Sequence, residues 1–242
     1  MDNEQFNFFK LGWDTEYFKI PCAKAVLYDT LTAEEWGKLV PLFADYTLIV
    51  IENKGMDPVN AQWIGRNTTA FLADVSIVLE KFLSSENSLY ELPPGIEISN
   101  NVPYNEDIMA SSRHTYTRLI YDPELFKRGG DKVLDQKLFN SFEKDEKYFS
   151  LSYNEHNRCD GHVLFYFQDK YLQLEQISVF ESKKGIGTRL IKSLEYAAVI
   201  RGLYHIRSGL SLYNIPSMNL HIKVGYRFVE NNQVYHLWNL KH

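Results

Sequence analysis

The stretch "LEQISVFESKKGIGTRLIKSLEYAAVIRG", Leu174 to Gly202, carries two glycines one residue apart, Gly185 and Gly187, between an apolar run and a long amphipathic one. Upstream, "KYLQLEQISVF" reads as a strand whose apolar residues change parity, Leu172 and Leu174 being even and Ile177 and Val179 odd. A strand repeats every second residue, so the change predicts an extra residue between Leu174 and Ile177, a β-bulge; a strand buried on both faces would also break the alternation. Downstream, Ile186, Leu190, Ile191, Leu194, Ala197 and Ala198 recur at helical spacing, with Lys184, Arg189, Lys192 and Glu195 elsewhere on the wheel.

The glycines therefore lie where a strand turns into a helix. Free backbone N–H groups and the helix dipole favour an anion there, and missing β-carbons let phosphate oxygens approach. Lys183, Lys184 and Arg189 add local positive charge. A dinucleotide fold wants G-x-G-x-x-G and an acidic residue about 20 positions on, whereas this chain has Leu190 and then "YHIRSG". A P-loop is excluded because no G-K-[ST] follows the required gap. A tight strand-to-helix connection with no ligand is the competing reading.

The chain of 242 residues can bury one large core or two modest ones. Its net charge of -5 disfavours a general nucleic-acid binder, since phosphate affinity needs a basic surface. No run approaches the roughly 20 apolar residues of a membrane span. The start, "MDNEQFNFFK", lacks the order of a signal peptide, and two cysteines, Cys22 and Cys159, are too few for a disulfide framework. A cytoplasmic, reduced protein is expected. "HNRCDGH", with His156, Cys159 and His162, has no second ligand pair to complete a zinc site and reads as a polar hairpin turn, so no metal is expected.

"ELPPGIEISNNVPYNED", Glu91 to Asp107, is the most loop-like segment. It divides the chain into an N-terminal α/β domain (1–95), a linker (96–112) and a C-terminal domain (113–242). Before it, Ile20 to Tyr28, Thr47 to Asn53 and Thr69 to Leu83 read as strands. Between them, a capping box at Thr32 and Glu35 opens a helix to about Ala44, and a second helix covers about Asn60 to Asn67. After it come a helix from Lys132 to Phe142 and strands at Tyr148 to Tyr153 and His162 to Phe167. A strand from about Leu203 to Ser211, a short helix from Ile215 to Val224 and a last strand ending in "VYHLWNL" follow the glycine turn. The order is that of an α/β protein with a mixed sheet and helices on its faces.

From Val179 to Phe228 the chain resembles the acyl-CoA-binding half of a GNAT acyltransferase. "KKGIGTRLI" is similar to the family's Gly-x-Gly turn before a helix, and "NIPSMNLHIKVGYRF" to its Asn and its "Tyr-x-Lys-x-Gly-Phe" stretch. A narrower resemblance, carried by "LGWDTEYF", "FLADVSIVLEK", "SSRHTYTRLIYDPELF" and "VYHLW", is to the TDP-fucosamine acetyltransferases. The resemblance implies a GNAT-fold C-terminal domain beside a smaller, truncated GNAT-like N-terminal one. It implies acetyl-CoA as co-substrate and the amine of a dTDP-linked 4-amino-4,6-dideoxy sugar as acceptor, and a homodimer is compatible with it. In this reading Lys183, Lys184, Gly185, Ile186, Gly187 and Thr188 cradle the coenzyme diphosphate. Ile177, Ser178 and Val179 pair with the pantetheine arm, and Asn214 matches the coenzyme-side Asn. Two positions depart from the family: Ser182 replaces the usual Arg or Gln, and His221 stands where the family carries a Tyr proposed as general acid.

Amine acylation by a thioester needs a neutral amine, a polarised carbonyl and a proton for the leaving sulfur. Backbone amides near Val179 are the expected polarising donors, His221 the expected acid, and Glu175 the candidate base. Ordinary alternatives stand beside these roles: a helix histidine hydrogen-bonded to a neighbour, Tyr213 or Tyr226 as donors, and an exposed strand carboxylate. Trp13, Asp14, Tyr17 and Phe18 either touch the acceptor or pack onto a core, and Arg113 either meets sugar-nucleotide phosphate or forms a surface ion pair. Acylation of another small amine or a peptide N-terminus, and a non-catalytic acyl-CoA-binding module, are the alternative functions.

Overall fold

The computed structural model describes residues 5–86, 90–112, 117–180 and 185–240. Its described strands are β1 (Phe6–Lys10), β2 (Cys22–Leu27), β3 (Leu48–Lys54), β4 (Phe71–Phe82), β5 (Ile96–Asn100), β6 (Tyr148–Tyr153), β7 (Cys159–Phe167), β8 (Leu172–Val179), β9 (His205–Ser211) and β10 (Arg227–Trp238). All belong to one mixed sheet in the order β1-β2-β3-β10-β4-β9-β8-β7-β6-β5. The C-terminal strand β10 is inserted between β3 and β4, antiparallel to both. The sheet therefore runs unbroken from the first part of the chain into the last.

The described α-helices are α1 (Gly12–Phe18), α2 (Ala33–Leu39), α3 (Pro58–Asn67), α4 (Glu106–Ser111), α5 (Arg118–Tyr121), α6 (Pro123–Lys127), α7 (Val133–Phe139), α8 (Ile186–Ile200) and α9 (Ile215–Lys223). One sheet face packs Leu27, Ile49, Ile51 and Leu237 against Trp36, Leu39 and Ile64 of α2 and α3. Further along that face, Phe165, Leu172, Leu174 and Ile206 pack against Leu190, Ile191, Leu194 and Ala198 of α8. Burial of each such aliphatic side chain contributes about 1.5–3 kcal/mol. The opposite face packs Val50, Val234, Phe149, Leu151 and Leu164 against residues of α1 and of the 102–142 segment. Burial on both faces explains why β3, "LIVIENK", reads as a continuous apolar run rather than an alternation.

The capping box at Thr32 and Glu35 is present, with reciprocal hydrogen bonds. The segment read from composition as a linker contains β5, an edge strand paired antiparallel to β6, and the whole of α4. β1 and α1 were not anticipated. Phe18 of α1 is buried, Trp13 stacks on Tyr17 with ring centroids 4.9 Å apart, and the Tyr17 hydroxyl donates to the Gly129 carbonyl at 2.9 Å. These aromatics pack against the helical layer around Leu119, Leu125 and Val133.

His162, in the middle of β7, is fully buried, and burial pushes its pKa down to about 4. The unfolded chain takes up this proton near the ordinary value of about 6.5, before the folded one does, so stability falls as pH drops from there towards 4, by about 3 kcal/mol. Urea unfolding of the wild type and His162→Gln at pH 7 and pH 4.5 checks this; the variant's stability is expected to depend less steeply on pH over that interval.

Candidate active site

The predicted bulge is present. Leu164 of β7 faces Gln176 and the next residue, Phe165, faces Leu174, so Glu175 is the extra residue. Because of it, Leu172 and Leu174 before the bulge and Ile177 and Val179 after it all pack on the α8 side. The parallel ladder between β8 and β9 spans Leu172↔Ile206 to Leu174↔Ser208, and its described part stops there, at the bulge. Beyond that point Glu175, Gln176 and Ile177 on one side and Gly209, Leu210 and Ser211 on the other line a cleft of about 400 Å³.

Gly185 is the N-cap of α8 with φ +73°, a left-handed conformation that suits glycine, and no side chain among the described residues caps the helix. The first-turn N–H groups at Ile186, Gly187 and Thr188 have no acceptor inside the helix. The two glycines differ in role. A β-carbon on Gly185 would meet nothing within 4 Å, whereas one on Gly187 would come within 2.9 Å of Leu220 Cδ2. Gly187 thus also leaves room for the Leu220 side chain where α9 approaches α8. Gly161 has the same function on β7: a β-carbon there would meet Ile186 Cγ2 at 2.9 Å and the Ser178 carbonyl at 3.2 Å. Lys183, Lys184, Ser182 and Arg113 lie outside the described residues. Arg189 donates to the Pro94 carbonyl at 3.1 Å.

Asn214 is the N-cap of α9, its side-chain oxygen accepting from Ser217 N at 3.2 Å, and it lines the cleft. His221, one helical turn beyond Ser217, also lines the cleft and is fully buried. Its Nδ1 lies 2.7 Å from the Ser217 carbonyl oxygen, which can only accept, so Nδ1 carries the hydrogen and Nε2 holds the lone pair. Burial lowers its pKa, with the Ser217 carbonyl opposing, so the ring is neutral at pH 7. In this tautomer Nε2 is an acceptor, so any proton it passes on must first be taken up there. Nε2 has no hydrogen-bond partner among the described residues. Tyr226 packs edge-on to His221 at 5.0 Å, and burial raises its phenol pKa far above the ordinary value, which makes it a poor acid. Glu175 lines the cleft but is paired with Lys147.

The floor of the cleft carries residues that motif reading missed: Glu52 and Lys54 of β3, Asp74 and Ser76 of β4, Asn232 of β10, and Arg118. Burial opposes the charge of Glu52, but hydrogen bonds from Lys24 and Lys54 outweigh it and hold the carboxyl below its usual range. Asp74 is 4 % exposed and accepts from Ser211 Oγ at 2.6 Å. Its signal was available: an aspartate inside the apolar strand "FLADVSIVLEKF" runs against β-propensity. Behind the floor, buried Asp122 accepts from His236 Nδ1 at 2.6 Å and Trp238 Nε1 at 3.0 Å, and from Glu124 N and Leu125 N of α6. This carboxylate ties the α5–α6 segment, and with it Arg118, to β10.

Residues 112–226 match the model of the acetyltransferase (GNAT) family. The fold is similar to that of a functionally unknown conserved protein from Staphylococcus epidermidis, at 14 % identity and TM-score 0.70, covering 99 % of this chain and 93 % of that one. A GCN5-related N-acetyltransferase from Sphaerobacter thermophilus follows at 10 % identity and TM-score 0.65, over 97 % and 76 % of the two chains. A tandem GNAT protein from the clavulanic acid biosynthesis pathway matches at 11 % identity and TM-score 0.57, over 92 % and 79 %. No curated protein matches the sequence. The segment that builds the bulged strand, the glycine turn and α9 falls within the residues that match this acetyltransferase model, which span just under half of the chain.

Replacing His221 by Phe keeps the ring packed against Tyr226 but removes Nε2. The expected result is a fall in kcat of about tenfold or more with the KM for acetyl-CoA little changed. In the wild type, the acid limb of the kcat profile is expected below the ordinary histidine value of about 6.5, because burial holds His221 neutral. Steady-state kinetics across pH 5–8 measure both; a variant with wild-type kcat would remove His221 from the chemistry.

Proposed function

We propose that this protein transfers the acetyl group of acetyl-CoA to the amine of a dTDP-linked 4-amino-4,6-dideoxy sugar. The observation that carries the acetyl-transfer part is the separation of β8 from β9 at the Glu175 bulge, which opens the sheet onto the cleft. The acceptor rests on the sequence resemblance to TDP-fucosamine acetyltransferases and on the Arg, Lys and carboxylate side chains that line the cleft.

The residues present fit the co-substrate. The uncapped first turn of α8, Ile186 to Thr188, offers N–H groups to a diphosphate, and Lys183 and Lys184 precede it in sequence. In this reading Ile177, Ser178 and Val179 meet the amide groups of a pantetheine arm, supported by their lying on the stretch of β8 beyond the described ladder to β9. A backbone N–H near Val179 polarises the thioester carbonyl. Attack by the neutral amine forms the C–N bond, and the C–S bond then breaks. His221 Nε2 takes the proton that the amine loses and returns it to the departing thiolate. Asn214 holds the start of α9, and so the place of His221, by capping it. Glu175 bends the strand; its carboxylate, paired with Lys147, is the second candidate for proton removal.

Release of free CoA thiol, measured with acetyl-CoA and a panel of amines, tests this. The dTDP-4-amino-4,6-dideoxy sugar is expected to give the highest kcat/KM, ahead of UDP-amino sugars, aminoglycosides and peptide N-termini. A peptide or polyamine turned over better would overturn the acceptor assignment. Failure of acetyl-CoA to raise the melting temperature would overturn the coenzyme site.

A further inference from the structure

The charges lining the cleft are not all compensated within the protein. Glu52 is held by Lys24 and Lys54, Glu175 by Lys147, and Lys54 also reaches Glu230 at 3.5 Å. Lys137 lies over the Trp13 ring at 5.2 Å. Two groups differ. The Arg118 side chain makes no hydrogen bond or ion pair with any described residue, and its Nε is buried without a partner. Asp74 is almost fully buried, the only hydrogen bond to its carboxylate among the described residues comes from the neutral Ser211 hydroxyl, and no cation pairs with it there. Both lie within electrostatic reach of His236, on the same region of the cleft floor.

A guanidinium without a protein partner presents its fork to a planar or tetrahedral oxyanion, which it can bind through two parallel hydrogen bonds. A buried carboxylate beside the site of acylation receives the N–H groups of an amine and orients its lone pair. Both groups are held rigidly. Arg118 follows Thr117, whose hydroxyl caps α5 by accepting from Leu119 N at 3.3 Å, and α5 is tied to β10 through the Asp122 cluster. Asp74 is fixed between β10 and Ser211 of β9.

We infer that the acceptor is an amine that carries an anionic group on the same molecule, the amine received by Asp74 and the anion by Arg118. This rests on the acetyl-transfer reading but not on the sugar: a dTDP-amino sugar is one member of the class, and an amine bearing a single phosphate or a carboxylate is another. It makes Arg118 a specificity-determining residue.

The test compares matched acceptors by CoA release: an amino sugar 1-phosphate with the methyl glycoside of the same amino sugar, and a carboxylate-bearing amine with its methyl ester. The anionic member of each pair is expected to have the higher kcat/KM, by about tenfold or more. Arg118→Gln should bring that ratio towards one by raising the KM of the anionic acceptor, with Arg118→Lys intermediate and the KM for acetyl-CoA held. Asp74→Asn should lower kcat for both members of a pair. Equal use of charged and uncharged amines by the wild type, or an Arg118→Gln effect of the same size on both, would overturn the inference. If the dTDP sugar is inert while other anionic amines outpace their neutral partners, the sugar assignment fails and the two-point recognition stands.

Discussion

One supernumerary residue organises the C-terminal half of this molecule. Strand β8 must pack Leu172 and Leu174 against α8 and then do the same with Ile177 and Val179, which a regular strand cannot do. Glu175 absorbs the difference. A bulge strengthens local twist and bends the strand that carries it, and the described pairing to β9 ends on the residue before it. The opening in the sheet and the cleft next to it both follow from that one insertion.

The second constraint is the place of β10. By entering between β3 and β4, the last strand makes the floor of the cleft from segments remote in sequence: Lys54, Asp74, Asn232 and Ser211 come from four strands. The buried Asp122 then couples β10 to the helical segment above it through His236 and Trp238, while capping α6 with its other oxygen. Burial opposes the charge of Asp122, but those donors outweigh it and hold its pKa below the ordinary value. A satisfied buried carboxylate of this kind specifies one arrangement of the layers more than it adds net stability.

Much of the architecture was legible locally. The bulge was visible as a parity change, α8 as a 3.6-residue apolar period, and α2 through its capping box. The parts that were not legible are those with weak local signals. β5 is a five-residue edge strand lying in a segment rich in proline and asparagine, and α4 to α6 are only four to six residues long. Such elements exist because the sheet edge and the cores beneath them bury their apolar side chains, and propensity alone does not form them. The proton arrangement of His221 was not legible for a related reason. Its identity suggested a proton donor, but which nitrogen carries the hydrogen is set by the Ser217 carbonyl, and its ionisation by burial.

By itself the amino-acid sequence determined the strand, glycine turn and helix between Leu172 and Ile200, the α/β class and the family resemblance, because each rests on periodicity or on residues adjacent in the chain. Only the tertiary structure decided that Asp74 and Arg118 share a cleft, that Gly187 lies against Leu220, and that Glu175 and Glu52 are already neutralised by lysines. Charge compensation and steric fit depend on distances between residues far apart in sequence, and those distances exist only once the sheet has closed around β10.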